Sequence, residues 1–188
     1  MIITYIIFSV SCLVWFWVIF RQKNSSIYLY FLILGLKDPL GLFTLYILKI
    51  PFEVLYIISD ILILVALRTE NFKIIKLKVL DYLIIIAVII SFIISFNLTY
   101  LSLVVHVFIL INFIQRVIIP LHFKGELSVF FAILVFYETS LLVKGFMLVN
   151  NPILGMYLIY FTLAFQILIA IFFIIFREDN PKLIIKMT

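Results

Sequence analysis

Charge is scarce in this chain: 12% of its residues are Asp, Glu, Lys or Arg, about half the share in a soluble domain. Thiols are scarcer still. A single cysteine, Cys12, excludes an intramolecular disulfide and any site built from several thiolates. The only two histidines are His106 and His122, and His122 falls in a basic loop. That rules out a pair at facing depths, as bis-histidine haem needs, and leaves too few soft ligands for a metal centre. Gly and Ala are sparse, which argues against close helix packing of the GxxxG type. No long polar stretch exists, so no soluble domain fits anywhere. G-x-S-x-G, H-E-x-x-H and P-loop patterns are missing, as is the Gly-Asp motif of intramembrane aspartyl proteases.

What the chain has instead is apolar length. Of its 188 residues 67% are hydrophobic, and the mean hydropathy is +1.37. Runs of about 20 apolar residues recur, the length that crosses a bilayer. Charged or turn-forming clusters divide them into seven predicted spans: 2–20, 27–49, 51–67, 79–96, 99–121, 127–149 and 153–176. The last stops at "REDNP", where Pro181 cannot continue a helix. The expected fold is therefore an all-α membrane bundle of seven helices in one domain, 1–176, with a short tail, 177–188. The opening "MIITYIIFSV" has no basic start and no small-residue cleavage site, so it reads as a retained helix rather than a signal peptide.

Lysines and arginines set the expected orientation. With the N-terminus outside, eleven of the fourteen fall in inner loops and the tail, including Arg21, Arg68, Arg116, Lys124, Arg177 and Lys186. Lys49 alone lies at the outer surface. The positive-inside bias gives an N-out, C-in protein of a cell membrane. The richness in Ile, Phe, Lys and Asn fits an AT-rich prokaryotic genome. The net charge of +5 then reflects basic loops facing anionic lipid or a partner protein, and no nucleic acid is implied.

The informative residues are the polar ones inside the spans. "LGLKDPLGL", 34–42, sets Lys37, Asp38 and Pro39 side by side at mid-span. Two half-helices of about 15 Å would each be too short to cross, so the segment reads as one span kinked at Pro39, with the Gly35 carbonyl freed. Lys37, Asp38, Asp60 and Glu138 all map near the midplane, His106 and Lys144 to the outer half, and Gln166 to the middle of the last span. A charge at bilayer depth costs about 2.5–3.5 kcal/mol on insertion scales and faces the protein interior. These residues are therefore expected to converge in one cluster that holds a ligand or couples an ion.

Helical spacing supports that convergence. Glu53, Tyr56 and Asp60 share one face at i, i+3 and i+7, and Thr99, Ser102 and His106 repeat the spacing. Tyr137, Ser140 and Lys144 repeat it again, with Glu138 alongside, and Thr162 stacks under Gln166 at i, i+4. Adjacent residues on a helix point about 100° apart, so Lys37 and Asp38 are expected to serve different partners. Lys37 is expected to pair with an acid, and Lys144 with another.

Three functions fit such a cluster. The leading one is a sensory or accessory module that binds a small or lipidic ligand, or a partner helix, and acts through a partner protein on the basic loops or tail. The second is a small solute or proton-coupled carrier with Asp60, Glu138 and Lys37 as coupling residues. Broken helices at matching places in two halves would point to a carrier, and none are present. Rhodopsin-like photochemistry is disfavoured because 153–176 contains no lysine for a retinal Schiff base. The third is a lipid-acting enzyme, with Asp60 and His106 as acid and base. "KDP" at 37–39 and "SD" at 59–60 resemble the lysoplasmalogenase-like family, which has a Lys-Pro pair in its second span and a Gly-Asp in its third. The likeness covers about a fifth of the chain. Both motifs are altered, and the family's later acidic and histidine positions have no clear match. No cofactor is expected under any of the three readings.

Overall fold

The computed structural model describes residues 2–68 and 98–187, and between them Tyr82, Ile86, Ile89 and Ile90. Six α-helices account for most of the described residues: α1 (Ile2–Arg21), α2 (Tyr28–Phe43), α3 (Phe52–Arg68), α4 (Leu98–Lys124), α5 (Val129–Asn150) and α6 (Pro152–Ile175). The fold is all-α apart from a small ladder of β1 (Glu126–Ser128) and β2 (Ile184–Lys186). The span expected at 79–96 lies outside the described residues except for those four. They are helical, exposed, and spaced i, i+4, i+7 and i+8 on one face.

Each helix packs on its neighbour in the chain, α3 touches α4 directly, and α1 closes against α6, so the six form a ring. Among the described residues Tyr28–Leu48, Leu98–Lys124 and Val129–Asn150 are long and apolar enough to cross a membrane. The outer wall is apolar as well. Leu13, Trp17, Phe20, Phe136, Phe161 and Leu168 are each more than half exposed, far beyond what a water-soluble monomer leaves uncovered.

"LGLKDPLGL" is helical throughout, and α2 runs through Pro39 without dividing into half-helices. A change to π-helical geometry comes five residues later, at Thr44–Leu48. There Thr44 Oγ1 donates to the Gly41 carbonyl, and Lys49 at φ 55° ends the segment in the left-handed region. The side-chain register of Lys37 and Asp38 is thus set by a continuous helix.

The two ends of the ring are filled differently. Toward the basic end the interior is aromatic. Phe31, Phe113, Phe130 and Phe173, from four helices, are fully buried with Tyr30. Phe173 meets Phe31 and Phe130 edge to face at 5.1 Å, and Tyr30 meets Phe113 at the same distance. Such contacts add to the burial of large apolar area. Toward the other end, where α3 and α4 begin at Phe52 and Leu98 and α5 stops at Asn150, the interior is polar and partly open.

The tail, expected as a short extension, is tied back through Glu178 to Ser26, and the end of α6 is held by α1. Gln22 Nε2 donates to the carbonyls of Phe173 and Phe176 at 2.6 and 2.8 Å, satisfying acceptors at the end of α6. Arg21 Nε donates to the Ile174 carbonyl at 3.0 Å.

At Gly35 helices α1 and α2 come close. A Cβ there would lie 2.8 Å from Ile19 Cδ1 and 2.9 Å from the Trp15 carbonyl oxygen. The Ile19 terminus can swing aside, whereas the backbone oxygen cannot. Gly35→Ala should therefore destabilise the bundle by about 1–3 kcal/mol, the usual range for overpacking, read as a lower unfolding midpoint in detergent. An unchanged midpoint would mean that α1 and α2 do not pack this closely.

Candidate functional site

Four helices deliver their polar residues to one place. Lys37 on α2 forms an ion pair with Asp60 on α3, Nζ to Oδ1 at 2.5 Å. Ser102 on α4 donates to the other Asp60 oxygen at 2.5 Å. One turn along α4, His106 lies between two acids. Its Nδ1 is 2.8 Å from Glu138 Oε2 on α5, and its Nε2 is 3.4 Å from Asp60 Oδ1. Tyr30 completes the chain by donating to Glu138 Oε1 at 2.7 Å.

The order is Lys37, Asp60, His106, Glu138, Tyr30, with Ser102 as a branch. All are buried except Ser102, which is partly so. A buried carboxylate is tolerated only when paired and hydrogen-bonded. Asp60 has three such neighbours, and Glu138 has two.

Asp38, one residue from Lys37, faces another way and accepts from the Tyr56 hydroxyl at 2.7 Å. The Lys37 ammonium also lies 4.4 Å from the centre of the Tyr56 ring, a cation–π contact. Tyr56 therefore ties the Asp38 branch to the main chain of contacts. The two adjacent charges do serve different partners.

Next to this network lies a cavity of about 410 Å³. Its polar lining includes Lys37, Asp38, Tyr56, Ser102, His106 and Tyr137. Glu53, Thr99 and Lys144 line it nearer the end remote from the basic loops, and Gln166 contributes from α6. Phe8, Leu34, Leu103, Leu141, Leu148 and Leu163 supply apolar wall. Trp15 lines it too, its ring 5.3 Å from that of Tyr137. Apolar walls with a few converging polar groups are the usual make-up of a small-molecule pocket.

The residues singled out from sequence divide cleanly. Lys37, Asp60, His106 and Glu138 form the network, with Ser102 bonded to it. Asp38, Tyr56, Glu53, Tyr137, Lys144 and Gln166 line the cavity or touch those that do. Lys144 departs from expectation, because it has no ion pair among the described residues. The acid that acts on it, Asp38, already accepts from the Tyr56 hydroxyl. Ser140 is not drawn in. Its hydroxyl donates back to the Tyr137 carbonyl of its own helix, the common local bond of serine in a helix. Pro39 is not among the residues that line the cavity.

Sequence reasoning passed over Tyr30 and Trp15. Tyr30 lies seven residues before Lys37, the same i, i+7 spacing that linked residues on three other helices, so its signal was present. Trp15 carried none: in sequence it resembles Trp17, yet Trp15 is buried and Trp17 is 63% exposed. Among the described residues no group of three or more His, Cys, Asp or Glu is arranged to hold a metal ion. Asp60, His106 and Glu138 bond to one another and do not converge on a shared point. Comparisons with protein-family models, curated proteins and solved structures give no match.

Removing one partner of a buried pair leaves an uncompensated charge, a loss of about 3–5 kcal/mol. Asp60→Leu alone should therefore unfold the bundle at a much lower temperature. Lys37→Met together with Asp60→Leu should recover most of that loss, as read by thermal melts in detergent. Additive losses in the double variant would show that the two side chains are not coupled.

Proposed function

We propose that this chain is a seven-span protein of a cell membrane, with its N-terminus outside and its C-terminus in the cytoplasm, that binds a small or lipidic ligand within its outer half. It would act as a sensory or accessory module through a partner protein at its basic end. The observation that carries this reading is the 410 Å³ cavity, apolar on its walls and polar where Lys37, Ser102 and His106 face it. An amphiphile suits such a lining, with its chain against Phe8, Leu141 and Leu163 and its polar group toward the network. The apolar outer wall and the basic clusters at one end support the topology.

Two features favour binding over the other readings. A carrier must expose its site to both sides in turn, and here the buried set Phe31, Phe113, Phe130 and Phe173 fills the interior on the basic side. A hydrolytic enzyme with His106 as base needs a ring nitrogen free to take a proton. Both nitrogens of His106 face carboxylates instead. Asp60 is likewise occupied by Lys37, Ser102 and His106. The network works as a fixed polar floor for a ligand.

Native mass spectrometry of the protein in mild detergent should find a co-purified amphiphile in sub-stoichiometric to equimolar amounts. Leu141→Trp, which fills the cavity from α5, should remove it with the unfolding midpoint little changed. Absence of any amphiphile from the native protein across several lipid backgrounds would sink the reading. Gradient-driven solute flux in proteoliposomes that Asp60→Asn abolishes would replace it with the carrier.

A further inference from the structure

The C-terminal segment makes a built surface that the cavity does not explain. Helix α4 ends at Phe123 and Lys124, and Gly125 follows at φ 63°. A side chain there would be strained, and a Cβ would lie 3.0 Å from the Met187 carbonyl oxygen. The turn leads into β1, which pairs antiparallel with β2. Glu126 stands opposite Lys186, Leu127 opposite Ile185, and Ser128 opposite Ile184. The Met187 amide donates to the Gly125 carbonyl at 2.8 Å and extends the ladder.

This hairpin-like tongue is fastened to the bundle. Leu183 is buried, and the Glu178 carboxylate accepts from the Ser26 amide and hydroxyl at 2.6 and 2.5 Å, just before α2 begins. The Asn180 side chain accepts from the Lys182 amide at 3.0 Å. A tail held this firmly would be expected to turn its apolar residues inward. Only Leu183 is inward: Met187 is 55% exposed, with Ile184 and Ile185 also exposed, and Phe123 at the end of α4 is 78% exposed. Alternation along β2 puts Ile185 and Met187 on one face of the ladder. Lys124, Lys182 and Lys186 are exposed around this patch. Of the nearby acids, Glu126 faces Lys186 across the ladder, Asp179 pairs with Arg177 and Glu178 holds Ser26, which leaves Lys124 and Lys182 as the positive excess.

We propose that the tongue formed by 123–128 and 184–187 docks on the surface of an anionic bilayer. Phe123, Ile185 and Met187 enter the boundary between headgroups and acyl chains, while Lys124, Lys182 and Lys186 meet lipid phosphates. Exposed apolar side chains interleaved with lysines, at the level where the helices end, have the chemistry of an interfacial anchor. The lysine stems lie along apolar surface and keep their charge at the headgroups. The positive excess selects anionic over zwitterionic lipid. A protein partner would fit the apolar patch but would not call for three flanking lysines. This assignment does not rest on the cavity or on its ligand.

The test uses the full chain with Cys12→Ser and Met187→Cys, a nitroxide on the new thiol, in nanodiscs. One set is phosphatidylcholine and the other phosphatidylcholine with phosphatidylglycerol. Collision with oxygen against a water-soluble nickel chelate reports the depth of the label. The label should lie at lipid depth in the anionic discs and in water in the neutral ones. Replacing Lys124, Lys182 and Lys186 with Gln should shift the docking equilibrium toward water by about fivefold per lysine. These lysines are exposed, so the helical circular dichroism should not change. Gly125→Val, which strains the turn, should release the label from the anionic discs. A label in water in both disc types overturns the proposal. So does equal immersion in both, which would be contact blind to charge, or shielding that appears only with a second copy or an added protein.

Discussion

Asp60 is the side chain on which the interior depends. It is fully buried, and its two oxygens take Lys37 from α2 and Ser102 and His106 from α4. A carboxylate inside an apolar bundle is stable only where its partners reach it. The pairing therefore restricts how α2, α3 and α4 rotate and slide against one another. Apolar contacts between Ile, Leu and Phe surfaces discriminate weakly among registers. A buried charge with three specific neighbours discriminates strongly. His106 extends the same constraint to Glu138 on α5, and Tyr30 returns it to α2. One connected set of bonds thus fixes four of the helices in the ring.

The polar network and the aromatic set beneath it divide the bundle along its length. Tyr30 belongs to both, with its hydroxyl on Glu138 and its ring against Phe31 and Phe113. Below it the interior is closed by rings that pack edge to face. Above it polar side chains and leucines share the lining with Phe8 and Trp15, and a cavity remains. A ligand held there would touch residues already fixed by their mutual bonds, so little ordering is needed on binding, which favours affinity. At the basic end the organisation is different again. The ends of α1, α2 and α6 are joined by Gln22, Arg21 and Glu178 through backbone acceptors and donors. The terminal strand is carried on that platform with its apolar side chains outward.

Much of this was legible in the residues. Helix positions followed from apolar run length and from the breaks between runs, and the six described helices match those runs to within a few residues. The face-sharing sets on α3 and α4 followed from i, i+3, i+7 spacing, and each set does line the cavity or bond to the network. Divergence of Lys37 and Asp38 followed from the 100° step of the helix. Other features were not legible. Two tryptophans two residues apart look equivalent until packing buries one of them. The tail seemed a mere extension, because three-residue strands carry almost no periodic signal. The expectation of an acid for Lys144 rests on charge alone, and the claim of Tyr56 on Asp38 is visible only in three dimensions.

By itself the sequence determined the class of structure: apolar helices of spanning length, with a handful of ionisable residues that lipid would reject. That much follows from transfer energies and helical geometry, which are local properties of the chain. Tertiary structure alone decided which of those residues bond to which, that α1 and α6 close the ring, and that one half is sealed while the other holds a cavity. Those outcomes depend on distances between helices far apart in sequence. Hydrogen bonds and ring contacts reach only a few ångströms, so nothing short of the assembled bundle specifies them.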